Sequence, residues 1–175
     1  MPLDLIDELL DIPNSIAVKW SSPNPFTFME GIRRFSPKAT VVDNAFLLNL
    51  SYPLGIRCHV SHLPNFYPEH SWHVHDLYVA GKYKEANEEW DRCMVPWRKL
   101  IAPIQAETAG EGVFVRPAMR VVGLHGGWSR PPSRDEVITP DVYESYKECL
   151  AGFQAGGYAP ESKLVEFSGS PRLSK

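Results

Sequence analysis

The chain has 175 residues, 43% of them hydrophobic and 22% charged, enough apolar material for one packed domain of ordinary size. A formal net charge of −3 gives no electrostatic case for nucleic acid or an anionic membrane surface as a partner. No apolar run reaches the ~18–20 residues of a membrane span, the acidic start Met1-Pro2-Leu3-Asp4 lacks the basic segment of a secretory signal, and the three well-separated cysteines, Cys58, Cys93 and Cys149, fit reduced thiols in a cytoplasmic protein better than a disulfide framework or zinc ribbon.

In chain order, Leu3, Ile6, Leu9 and Leu10 form an apolar stripe that predicts a helix over 3–11, broken at Pro13-Asn14. Residues 16–20 read as a short buried strand. Asn24 then caps a helix that opens at Pro25, with Phe28, Met29, Ile32 and Phe35 on its apolar face. Residues 40–43 make a second strand, a short helix with Leu47, Leu48 and Leu54 ends at Gly55, and 56–61 make a third strand. Helix–strand alternation of this kind predicts right-handed βαβ units and a parallel sheet.

The middle of the chain is predicted to be helical. One helix covers 69–80 and stops at Gly81. A longer one covers 82–106, carries Ala86, Trp90, Cys93, Met94, Trp97, Leu100, Ile101 and Ile104 at helical spacing, and should kink at Pro96. After a small-residue linker at 107–112 come a helix over 114–122 and a Gly/Pro-rich loop over 123–133. A last helix is capped by Thr139, with Val142, Tyr146, Cys149, Leu150 and Phe153 inward, and stops at Gly156-Gly157. Residues 158–175 read as a polar tail. These divisions give a strand-containing segment over 1–68 and a helical region over 69–157.

Three parallel strands close poorly on their own, because the first would present an unpaired edge. The pattern therefore leads us to expect further strands before Met1. Within the first strand, alternation puts Ala17 and Lys19 on one face and Ile16 and Val18 on the other. If the branched face meets the helices, Lys19 projects from the opposite face near the strand's C-terminal end. A desolvated ammonium gives up its proton more readily, and the free amine attacks ketones. A lysine pointing into water at an edge is the plainer alternative for this strand read alone.

Several segments together carry a family resemblance. Pro13-Asn14-Ser15-Ile16-Ala17-Val18-Lys19-Trp20-Ser21-Ser22 resembles the Schiff-base segment of the dihydrodipicolinate synthase / N-acetylneuraminate lyase family. Thr40-Val41-Val42-Asp43-Asn44 looks like that family's seventh strand and active-site turn, with Asp43-Asn44 where Ser-Gly-Asp is common. Gly55 to Ser61 with Asn65 and Pro68 resembles the eighth strand and the Asn-x-x-Pro after it. Ala80-Gly81-Lys82-Tyr83-Lys84-Glu85-Ala86 resembles the following helical hairpin, and Gly123-Leu124-His125-Gly126-Gly127-Trp128-Ser129-Arg130-Pro131-Pro132 the C-terminal loop. The likeness spans roughly residues 3 to 155.

The resemblance implies the C-terminal portion of a (β/α)8 TIM barrel, an α/β fold whose sixth to eighth strands are present here, followed by a C-terminal helical region. It implies that Lys19 forms an imine with pyruvate or a related 2-oxo acid, for aldol cleavage, condensation or dehydration, without metal or organic cofactor. Val60, Asp43 and Asn44 would shape the substrate pocket. Ser21 and Ser22 would hydrogen-bond substrate or water, or serve only as turn residues. The family's carboxylate-binding pair and proton-relay tyrosine belong to earlier strands and have no counterpart here. A fragment or truncated member, weak or inactive alone, is therefore expected, either homo-oligomeric or paired with a missing N-terminal half. The alternative is a non-catalytic relative with an assembly or regulatory role. Metal binding is the remaining reading: His59, His62, His70, His73 and His75 cluster in sequence, but His73 and His75 diverge on a helix and no carboxylate or cysteine obviously completes a set.

Overall fold

A computed structural model of the chain describes residues 1–108 and 110–154. The tail over 158–175 and the stop at Gly156-Gly157 lie outside these residues. Two compact units are formed, one of Met1–Ser61 with His75–Lys84, the other of His62–Val74 with the described residues from Glu85 on. The division follows no single cut in the sequence, because the helix over Pro68–Val79 contributes to both.

The first unit begins with α1 (Leu3–Leu10), β1 (Ala17–Trp20) and α2 (Pro25–Phe35). The Asn24 side chain accepts from the Phe26 and Thr27 backbone N–H groups at 2.9 and 3.2 Å, satisfying two donors that a helix start leaves open. Pro25 at the first helical position sacrifices nothing, since its missing N–H would have had no partner there. On the outer side of α1, Arg34 reaches Asp7 and Asp4, both at 2.7 Å, and Lys38 reaches Asp11 at 2.8 Å, tying α2 back to α1.

β2 (Thr40–Asp43) lies between β1 and β3 (Cys58–His59), with all pairings parallel. The register sets Lys19 beside Val42 and Val42 beside Cys58. Hydrogen bonds prolong the ladder past the strand ends: Asn44 N–H donates to the Trp20 carbonyl at 2.8 Å and Val60 N–H to the Asp43 carbonyl at 2.9 Å. β3 is much shorter than the strand predicted over 56–61. The Ile56 N–H is engaged by the Ser51 carbonyl in the turn after α3 (Leu48–Ser51), so the chain enters the sheet only at Cys58.

Alternation along these strands builds the core on one side. Trp20 and Val41 from the strands, with Ile56 from the turn before β3, pack with Ile6, Phe28, Ile32 and Phe35, and Val18 lies against them. Trp20 donates its indole N–H to the Phe28 carbonyl at 3.0 Å and meets Phe35 edge-on at 5.3 Å. Ile16, expected to share this face with Val18, is 79% exposed. It stops short of β1 and contributes only its carbonyl, which accepts from Thr40 N–H.

The second unit is helical: α4 (Pro68–Val79) in part, α5 (Tyr83–Glu107), α6 (Gly112–Val121) and α7 (Pro140–Gln154). α5 runs unbroken through Pro96 and Pro103, over nearly the span predicted. Trp97, buried at its centre, packs against Phe66, Phe114 and Tyr146. Tyr146 closes the contact by donating to the Phe114 carbonyl at 2.8 Å. Thr139 caps α7 through Val142 N–H, and Tyr143, Tyr146, Leu150 and Phe153 are its buried residues. Val142 and Cys149, expected inward, are only half-buried, while Tyr143 takes the buried position that the sequence pattern gave to Val142.

Candidate active-site face

Parallel strands in register point the same way at paired positions. Lys19, Val42 and Cys58 therefore share one face of the sheet, and Trp20, Asp43 and His59 share the other. Burial agrees: Trp20 and Asp43 are buried, Lys19 and Cys58 are exposed, and Val42 is half-buried. Lys19 thus sits next to last in β1, facing away from the helices. It is not in a dry interior, contrary to expectation. Ala17, on the same face, is exposed as well.

Beside Lys19 runs a groove of about 580 Å³ between α1 and the free edge of β1, lined by Met1, Leu9, Leu10, Ile16, Ala17 and Ser21 among others. The backbone of β1 pairs with β2 on one side only among the described residues. The groove is therefore the place where a further strand of the same sheet would lie.

The other residues expected at the site divide between the two faces. Val60 follows β3, half-buried, on the Lys19 side by alternation, with its N–H committed to Asp43. Ser21 is exposed. Ser22 accepts from Asn24 N–H at 3.2 Å and so works as a turn residue. Asn44 is half-buried in the turn after β2.

Asp43 points the other way. Its carboxylate is fully buried behind the sheet, accepting from Ala45 N–H at 2.7 Å and from the Ser51 hydroxyl at 2.8 Å. Burial raises its pKa above the ordinary carboxylate value, while these hydrogen bonds pull the other way. Its side chain therefore fastens the turn over residues 44–47 from behind, including Phe46 at φ 58°. It does not present a charge to the Lys19 face.

Behind the same strand ends, Tyr52 bridges two histidines. Its hydroxyl lies 2.7 Å from His75 Nδ1 and 3.2 Å from His59 Nδ1, and its ring stacks on Tyr78 at 4.6 Å. Burial, then the neighbouring His75, lowers the pKa of His59 to about 4. In the second unit, the His70, Glu89 and Cys93 side chains come together. His70 stands among the histidines noted above, but its two partners do not. The available signal was the four-residue spacing of Glu89 and Cys93 on a predicted helix, which puts both on one face.

No protein-family model matches the sequence, and no curated protein matches it. Solved structures do match. Dihydrodipicolinate synthase from Oceanobacillus iheyensis aligns with a TM-score of 0.72 at 20% identity, over 88% of this chain and 51% of that one. The enzyme of the same name from Bacillus clausii aligns at 0.69 and 15% identity, over 86% and 51%. N-acetylneuraminate lyase from Fusobacterium nucleatum aligns at 0.65 and 20% identity, over 87% and 50%. The chain spans about half the length of the structures it matches. With its three parallel strands, their helices and the helical region that follows, this chain has the fold of the C-terminal part of the dihydrodipicolinate synthase and N-acetylneuraminate lyase structures.

Proposed function

We propose that this chain supplies the Schiff-base half of a class I aldolase-type site, in which Lys19 condenses with pyruvate or a related 2-oxo acid. The observation that carries the reading is the placement of Lys19 at the C-terminal end of a parallel strand, on the face turned away from the helical core. Chemistry in barrels is built at that end of the strands. The amine of Lys19 would add to the ketone carbon, and loss of water would give an iminium. That group draws electrons from the adjacent carbon, so a proton or carbon substituent there can leave as the enamine forms. Val60 and the turn at Asn44, at the ends of neighbouring strands, would border the substrate, and no metal or organic cofactor is required.

Exposure of Lys19 and the open edge of β1 favour weak activity for the chain alone. A polypeptide that added a strand along that edge would narrow the groove beside the amine and exclude water from it. The working assembly would then be this chain with the preceding strands of the fold. The same two features favour, as a second reading, a relative that keeps the fold for assembly without catalysis.

Borohydride reduction in the presence of pyruvate separates the two. Trapping of one pyruvate on Lys19, seen by peptide mass analysis and lost in Lys19→Ala, is the expected result. Absence of any adduct at saturating pyruvate, or equal labelling of the other lysines, would refute the catalytic reading and leave the assembly role.

A further inference from the structure

We infer that His70, Glu89 and Cys93 form a binding site for a divalent transition metal of the zinc type, independent of the Lys19 face. His70 lies in the first turn of α4, while Glu89 and Cys93 are one turn apart on α5. One ligand atom from each falls within 4.8 Å of the other two. Zinc bonds of about 2.0–2.3 Å in a tetrahedron need donors roughly 3.3–3.8 Å apart. The His70 Nε2 to Glu89 Oε1 separation, 3.4 Å, already meets that requirement. Closing the rest takes a movement of about 1 Å, within the reach of side-chain rotation on two helices.

This is not a chance meeting of surface acids. His70 and Cys93 are fully buried and the Glu89 side chain is 14% exposed. Imidazole, carboxylate and thiolate are each ordinary zinc ligands, and a His/Glu/Cys set leaves a fourth position for water or an outside group. His70 Nε2 lies 3.0 Å from the Glu89 carbonyl. A metal on Nε2 would displace that contact.

Glu89 is also held by Arg92, through Nη2 at 2.6 Å and Nε at 2.9 Å. Both carboxylate oxygens keep a further lone pair, so Arg92 can stay on Glu89 while one oxygen turns to the metal, as outer partners of ligating carboxylates do. On binding, the Cys93 S–H bond breaks, its proton passes to solvent, and the sulfur–metal bond forms. No oxidation or reduction takes place.

The test uses the whole chain, stripped of metal and titrated with Zn²⁺ and Co²⁺. One equivalent should bind, and Co²⁺ should produce a thiolate-to-cobalt charge-transfer absorption. His70→Gln and Cys93→Ser should each weaken binding at least tenfold, with Cys93→Ser abolishing that absorption. Cys58→Ser and His73→Gln should leave both readouts unchanged. Circular dichroism identifies a variant that fails to fold. Cys93→Ala, which leaves a smaller apolar group in the buried position, then takes the place of Cys93→Ser. Failure of the wild-type chain to bind stoichiometrically would overturn the inference. Binding that survives both ligand substitutions, or that depends on Cys58 or His73, would do the same. Neither outcome bears on Lys19.

Discussion

His59 shows what burial does to one titratable side chain. Its pKa is lowered from 6.5 to about 4, first by burial and then by the neighbouring His75. A base whose native pKa lies below its unfolded value stabilises the fold above the unfolded pKa and loses that contribution as pH falls toward the native one. Unfolding free energy should therefore decline by about 1–3 kcal/mol on account of His59 as pH falls from 6.5 to about 4. His59→Asn offers Tyr52 a polar atom but takes up no proton. Urea unfolding across this range should show a shallower fall in that variant than in the wild type. Identical slopes would mean that His59 is accessible to protons in the native state.

At the same scale, Asp43 explains why part of the candidate site was not legible in the sequence. A carboxylate at the end of a barrel-type strand reads as a substrate contact, and only the strand's register shows that it belongs to the opposite face. The Ser51 hydroxyl that receives it is eight residues away, a partner that no local pattern announces. Lys19 was legible as to strand and face, because alternation is a local property. Its exposure stood as one of two alternatives, because it depends on what lies across from β1.

Elements with strong local signals were read closely. Asn24-Pro25 set the start of α2, Gly81 sits at φ 75° just after α4, and Thr139 caps α7. β3 was read too long because its first residue, Ile56, is apolar whether it pairs in a sheet or closes a turn. The packing of α2 on β1 hinges on one glycine. A Cβ on Gly31 would stand 2.6 Å from Cε2 and Nε1 of Trp20, whose indole is buried and hydrogen-bonded to Phe28. Alanine is favoured over glycine inside a helix by roughly 0.5–1 kcal/mol, whereas forced overlap in a packed core costs about 1–3 kcal/mol. Overlap should win, so Gly31→Ala should lower the urea midpoint with a net loss of about 1–2 kcal/mol. Pairing it with Trp20→Phe should recover part of that loss. A stabilised Gly31→Ala would show that the indole moves aside freely.

For the molecule as a whole, the open edge of β1 matters most. Unpaired strand edges with apolar neighbours invite association, and here Met1, Leu9 and Ile16 are exposed along the groove. The purified chain should associate with rising concentration in sedimentation velocity. Ile16→Lys, which adds charge at a side chain that is 79% exposed and so carries little packing, should reduce that association without lowering thermal stability. Equal association in both would move the contact elsewhere. Among the described residues no helix is long and apolar enough to cross a membrane.

The two-sidedness of the sheet has a further consequence. The residues that hold this unit together, Trp20, Val41 and the buried Asp43, look one way, while Ala17, Lys19, Val42 and Cys58 look the other. Mutation can therefore rewrite the Lys19 side with little effect on folding. A lineage carrying this half-sheet is free to drift in chemistry while its architecture stays put, and a library randomised at positions 17, 42 and 58 should yield mostly folded proteins.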